Sequence, residues 1–128
     1  MRLNQVTVAS TDVERAVAFY RRLGLRLIVR SYPRYARLAC PDGDASFSIH
    51  HDPEVAGRSG TLVYFECDDL DGRCAELRAA GVRFDSEPTD ESWLWREARL
   101  RDPDGNPVCL YHAGLNRLDP PWRVRDEP

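Results

Sequence analysis

The chain has 128 residues, 42% hydrophobic and 30% charged, with a formal net charge of −3. That length suits one domain with a real core, and the acidic balance argues against nucleic acid as the main partner, since phosphate binding needs a basic surface. All 18 basic residues are arginine, which excludes lysine Schiff-base and lysine-nucleophile chemistry, and no apolar run approaches the roughly eighteen residues that cross a bilayer.

Met1-Arg2-Leu3-Asn4-Gln5 runs directly into a strand-like segment and has no signal-peptide core. Thr11 and Glu14 form a T-x-x-E capping box, which predicts a helix with Val13, Ala16, Val17 and Tyr20 on its buried face. Gly24 supplies the left-handed position that ends such a helix. Pro41-Asp42-Gly43 reads as a turn before the strand segment Phe47-Ser48-Ile49-His50, and residues 53–60 read as a linker.

The same plan then returns. Asp69-Leu70-Asp71-Gly72-Arg73-Cys74 repeats the helix opening at Asp12 with an offset of 57, and Gly81-Val82-Arg83-Phe84 repeats Gly24-Leu25-Arg26-Leu27, predicting a helix stop and a following strand. Leu70, Cys74 and Leu77 are its expected buried positions, and Gly72 costs about 1 kcal/mol if interior. Pro103-Asp104-Gly105 matches the earlier turn, and Val108-Cys109-Leu110-Tyr111 the strand after it, now at an offset of 61. Each half therefore reads strand, helix, three strands, over residues 1–54 and 60–112, and a Pro-containing tail occupies 113–128. The tail segment Asp119-Pro120-Pro121-Trp122 is expected to be extended, with Trp122 packed on this subunit or a partner.

Strand alternation separates two faces. Val6, Val8, Phe47, Ile49, Val63, Phe65, Val108 and Leu110 form an apolar face expected against the helices. Gln5, Thr7, Ser48, His50, Leu62, Tyr64, Glu66, Cys109 and Tyr111 form the opposite face, a mixture suited to a solvated ligand cleft. On any single strand it would equally suit the wet side of an antiparallel sheet. The four cysteines, Cys40, Cys67, Cys74 and Cys109, contain no CxxC pair, so free thiols in a reducing cytoplasm are expected.

Three segments carry a family resemblance. Asp12-Val13-Glu14-Arg15-Ala16-Val17-Ala18-Phe19-Tyr20, Cys67-Asp68-Asp69-Leu70 and Asp102-Pro103-Asp104-Gly105-Asn106 with Val108-Cys109-Leu110 resemble, in order, the signatures of the glyoxalase/bleomycin-resistance/extradiol-dioxygenase (vicinal oxygen chelate) superfamily. The resemblance implies an α+β fold of two paired βαβββ modules, forming a cup-shaped mixed sheet with helices on its convex side, and a homodimer. Metal-dependent members of the family place ligands at positions corresponding to Gln5, Ser48, Leu62 and Cys109. Leu62 has no donor atom and Ser48 is a poor neutral ligand, so neither the two-histidine, one-glutamate dioxygenase pattern nor the glyoxalase pattern is present. No cofactor and no metal at the family site is the resulting expectation.

Among groups with acid/base chemistry, His50 shares the mixed face and is a candidate acid/base, and Glu66 is the carboxylate there. The plainer readings are a hydrogen-bonded wall residue for His50, a solvated rim residue for Glu66 and a packing residue for Cys109. Tyr64, Tyr111, Trp93 and Trp95 offer flat surfaces, and Arg37, Arg96, Arg99 and Arg101 offer forked donors for an anion. Two functions are carried forward: a metal-free binder of a small organic molecule, and an enzyme (lyase, isomerase or dioxygenase) using a relocated metal or His50 and Glu66. A structural module without a specific ligand is the third.

Overall fold

Residues 5–8 alternate polar and apolar side chains, and they open the first strand of a βαβββ module in a computed structural model that describes residues 1–125. The last three positions of the expected tail lie outside the described residues. The chain divides into two units, Met1–Leu62 with Arg101–Pro107, and Val63–Leu100 with the chain from Val108 onward.

In the first unit, β1 (Gln5–Ser10), α1 (Val13–Arg22), β2 (Arg26–Ser31), β3 (Tyr35–Ala39) and β4 (Ser46–His51) follow in sequence. The sheet order is β1-β4-β3-β2. β1 runs parallel to β4, while β3 is antiparallel to both β4 and β2. A β-bulge interrupts β2 between Leu27 and Val29. Val13, Ala16, Val17 and Tyr20 are buried, as their helical spacing requires, together with Val8, Leu38, Phe47 and Ile49 from the sheet. The Tyr20 and Phe47 ring centroids lie 4.3 Å apart.

The helix starts differently from expectation. Asp12, not Thr11, is the N-cap, and its Oδ1 accepts from the Arg15 amide at 3.1 Å. The Thr11 hydroxyl instead donates to Asp104 Oδ1 at 2.6 Å, as does the Thr11 amide at 2.7 Å. The Asp104 carboxylate, supplied by the late Arg101–Pro107 segment, outcompetes the local capping box. Its other oxygen accepts from the Ser10 hydroxyl at 2.6 Å.

Asp102 in the same segment is buried, and the Tyr20 hydroxyl donates to it at 2.7 Å. Its Oδ1 accepts the Asp104 and Asn106 amides, both at 2.9 Å. The Asn106 side-chain amide donates to the Ala9 carbonyl at 2.8 Å and to Asp102 Oδ2 at 2.9 Å, while its oxygen accepts the Gly57 amide at 3.0 Å. A Cβ on Gly57, whose φ is +74°, would overlap the Asp104 carbonyl, so the linker passes here only as glycine.

The second unit repeats the plan with β5 (Val63–Glu66), α2 (Leu70–Ala79), β6 (Thr89–Asp90), β7 (Arg96–Arg101) and β8 (Pro107–His112), in the sheet order β5-β8-β7-β6. β5 is parallel to β8 and β6 antiparallel to β7. Asp69 caps α2 by accepting the Gly72 amide at 3.0 Å, and a side chain at Gly72 would collide with that carboxylate. The helix-weakening glycine is therefore what lets the cap close. Leu70, Cys74 and Leu77 are buried with Ala98, Leu100, Val108 and Leu110. No helix among the described residues is long and apolar enough to cross a membrane.

The expected strand at residues 82–84 is absent. The Asp85 and Ser86 amides both reach the Arg99 carbonyl, at 2.7 and 3.3 Å, and the Ser86 hydroxyl accepts the Arg99 amide at 3.0 Å. A side chain thus replaces a backbone ladder, and regular pairing begins only at Thr89, after Pro88. After β8 the tail makes one short 3-10 turn, Gly114–Arg117. Trp122 is 56% exposed, so the expected packing of this side chain on its own subunit is not found.

Candidate functional site

Each sheet presents one apolar face and one mixed face, as alternation dictates. In the first unit the mixed face carries Gln5 and Thr7 from β1, Ser46, Ser48 and His50 from β4, and Tyr35 and Arg37 from β3. Strand register sets Thr7 beside Ser48 and Ser48 beside Arg37, with Tyr35 beside His50.

This face is not uniformly solvated. Ser48 is fully buried, its Oγ accepting the Tyr35 hydroxyl at 3.0 Å. That hydroxyl in turn accepts from Arg37 Nε at 2.9 Å. Gln5 Oε1 accepts the Ser46 hydroxyl at 2.7 Å. Gln5, Thr7 and His50 remain exposed. Leu62 lies before β5 rather than on it and is half-buried.

In the second unit, Tyr64 and Glu66 of β5 pair in register with Cys109 and Tyr111 of β8. Cys109 and Tyr111 are buried, again against the expectation of a wet face. For Tyr111 the reason is aromatic cover. Trp95 and Tyr111 stack with centroids 4.7 Å apart, and Tyr64 meets both edge-on, at 5.8 and 5.5 Å. The Trp95 indole donates to the Asn116 carbonyl at 3.1 Å, fixing the ring. Leu94, with φ of 65°, turns the chain so that Trp93 and Trp95 leave the hairpin before β7.

Sequence reasoning missed Glu97. It is 3% exposed, its Oε2 accepting the Trp93 indole at 2.7 Å and its Oε1 accepting Arg99 at 2.7 Å. The Arg99 guanidinium sits 5.8 Å from the Tyr64 ring centroid. The signal was available: from Glu97 to Arg101 charged residues alternate with Ala98 and Leu100. Burial, followed by the neighbouring Glu97 carboxylate, pushes the Cys109 thiol up to about 12, so it stays protonated.

Glu66 is engaged rather than free. Its Oε2 accepts the Ala113 amide at 2.7 Å and the Gly114 amide at 3.0 Å, and Arg117 lies 3.8 Å from its Oε1. Burial alone would raise its pKa, but these amides, with His112 and Arg117, hold it below the ordinary glutamate value. His50 belongs to the first unit and Glu66 to the second.

Two βαβββ modules, each with its own four-stranded mixed sheet and a helix, define an α+β protein of the paired-module class. The chain belongs to the Glyoxalase/Bleomycin resistance protein/Dioxygenase superfamily, whose model matches residues 2–110. It is similar to the uncharacterized protein YraH of Bacillus subtilis, 27% identical over 127 residues, spanning 87% of this chain and 98% of that one. Among solved structures it resembles a bleomycin-binding protein complexed with bleomycin (TM-score 0.71, 23% identity, 88% of this chain and 98% of that one). It also resembles a lactoylglutathione lyase from Agrobacterium tumefaciens (TM-score 0.73, 19% identity, 89% and 95%). A superfamily member from Nocardioides aligns with a TM-score of 0.75 at 20% identity, over 98% and 90% of the two chains. At these identities the structural likeness establishes the fold.

Proposed function

We propose that this protein binds a small, planar organic molecule against the mixed sheet face of its second unit, without a metal at the position its metal-dependent relatives use. The observation that carries the reading is the second unit's aromatic group: Tyr64, Trp95 and Tyr111 in mutual contact, with Arg99 and Glu97 alongside. Tyr64 is 42% exposed, leaving ring surface for a ligand. Ring surface beside the Arg99 guanidinium, which the buried Glu97 holds in place, suits a conjugated ligand with polar substituents. The bleomycin-binding neighbour, complexed with bleomycin, has this fold with an organic ligand bound.

Donor chemistry supports the metal-free part. Leu62 has no donor atom in its side chain, Cys109 supplies a single buried thiol, and the Gln5 carbonyl and Ser48 hydroxyl are neutral oxygens that each already accept a hydrogen bond. Such a set does not fit a divalent ion, which wants several imidazole or carboxylate ligands. The same reading takes the protein to be a homodimer in a reducing cytoplasm, where its four cysteines stay free.

The test is calorimetry against a panel of planar aromatic compounds, with Tyr64→Ala and Arg99→Ala variants. Each truncation is expected to weaken binding several-fold, as the loss of one aromatic or cation–π contact of about 1 kcal/mol implies. One transition metal bound per subunit in tag-free protein would overturn the metal-free assignment, and a panel without any binder would overturn the ligand assignment. The enzymatic alternative is favoured by one feature, the exposed His50 imidazole on the first unit's mixed face. It requires turnover that collapses in His50→Ala.

A further inference from the structure

We propose a second binding site, in the first unit, for a phosphate-bearing small molecule, formed by Arg21, Arg26 and Arg30 around the outer edge of β2. A cavity of about 600 Å³ is lined there by these three arginines with Leu25, Leu27 and Ile28. That volume falls in the range of small-ligand pockets.

The local sequence is strongly basic. Between Glu14 and Asp42 the chain has no acidic side chain but seven arginines, of which Arg15 lies 3.7 Å from Asp104, in a protein of net charge −3. Several arginines elsewhere meet carboxylates, as Arg78 does with Glu87, Arg96 with Asp71 and Asp90, and Arg99 with Glu97. Among the described residues Arg21, Arg26 and Arg30 make no ion pair. Three guanidinium groups with no counter-charge, around one concavity, raise the local potential and attract a multivalent anion. Their planar donor forks match phosphate oxygens.

Shape selects a small ligand over a peptide strand. β2 is the edge of its sheet, where an extended peptide would add by backbone pairing. The bulge between Leu27 and Val29 breaks the regular spacing such pairing needs, and Ile28 stands 54% exposed at that point. Leu25, Leu27 and Ile28 supply apolar surface for the non-phosphate part of the molecule. A nucleoside triphosphate has this combination of multivalent phosphate and flat apolar body. The site shares no residue with the aromatic face of the second unit, so it stands or falls separately.

Titration calorimetry with ATP and with inorganic pyrophosphate, at low and at 150 mM salt, tests the proposal. ATP is expected to bind with one site per subunit, more tightly than pyrophosphate, and Arg26→Ala/Arg30→Ala is expected to weaken it at least tenfold. These side chains are exposed, and an unchanged melting temperature in the double variant verifies its fold. Arg83→Ala, at another arginine without an ion pair, and Tyr64→Ala are expected to leave ATP affinity unchanged. No binding at millimolar ATP, an equal loss in Arg83→Ala, or tighter binding of a single-stranded oligonucleotide than of ATP would each overturn it.

Discussion

The Tyr20 hydroxyl donates to the Asp102 carboxylate across 82 positions of sequence, 2.7 Å apart and sealed from solvent. The bond joins the buried side of α1 to the turn before β8. Burial, followed by the Asp102 charge, drives the Tyr20 phenol well above its ordinary range, so the group is a donor at every pH the fold tolerates. Tyr20→Phe keeps the ring packed on Phe47 and deletes only this bond to a charged acceptor. A loss of about 1.5–3 kcal/mol is expected, read from urea unfolding at unchanged slope.

Asp104 makes acid stability depend on the same turn. Burial opposes its ionisation, but donors from Ser10 and Thr11, with Arg15 nearby, hold its folded pKa below the ordinary value of 3.8. A depressed folded pKa means that the stabilisation is complete above the unfolded value and fades as pH falls through the folded one. Asp104→Asn should therefore lower stability near neutrality and flatten the stability curve below about pH 4. Thermal melts of both proteins from pH 2.5 to 7 check this, and curves that stay parallel across that window would count against it.

The parts of this fold visible in sequence are those set by local periodicity. The spacing of Val13, Ala16, Val17 and Tyr20, the stop at Gly24 and the alternation in β1 and β4 each involve neighbours within a few residues. What escaped was set at long range. Thr11 is a sound cap by local rules, and loses the role because Asp104 arrives from 93 residues away. Val82 to Phe84 has a strand's composition, yet the Ser86 side chain takes the Arg99 amide and prevents the ladder. On the mixed faces, parity gave the direction of Ser48, Cys109 and Tyr111. Ser48 is covered by Tyr35 and Tyr111 by Trp95, whose approach no periodicity reports. Glu97 was readable from the alternation in β7, but a glutamate flanked by arginines resembles a solvated strand face until its burial is seen.

Glu66 is expected to behave as an anchor for the tail. Glu66→Ala removes the acceptor of the Ala113 and Gly114 amides, and hydrogen exchange at those two positions should accelerate at least tenfold while the β8 core stays protected. Glu66→Gln retains one carbonyl oxygen and should show an intermediate effect. Exchange unchanged in both variants would remove the anchoring role.

Thiol labelling separates the cysteines. Cys109 is buried, with its thiol pushed up to about 12, and burial likewise takes Cys74 to about 11. Neither should react with iodoacetamide at pH 8 in the folded protein, because the thiolate is the nucleophile. Cys40 and Cys67 are only partly buried, and burial raises the Cys40 thiol; these two should be modified before Cys74 and Cys109, as mass spectrometry of peptides after brief exposure would show.

The membership of Arg101–Pro107 in the first unit bears on how such a molecule can be rearranged. A fragment ending at the linker would strand the Tyr20 phenol and the Ala9 carbonyl, each deprived of the group that answers it. The sequence repeats one plan, yet the first unit is completed by a segment that lies late in the chain. Recombination that trades one half for a distant cousin's must bring a matching Asp-Pro-Asp-Gly-Asn turn, or it inherits an opening beneath α1 that the retained copy has no residues to fill.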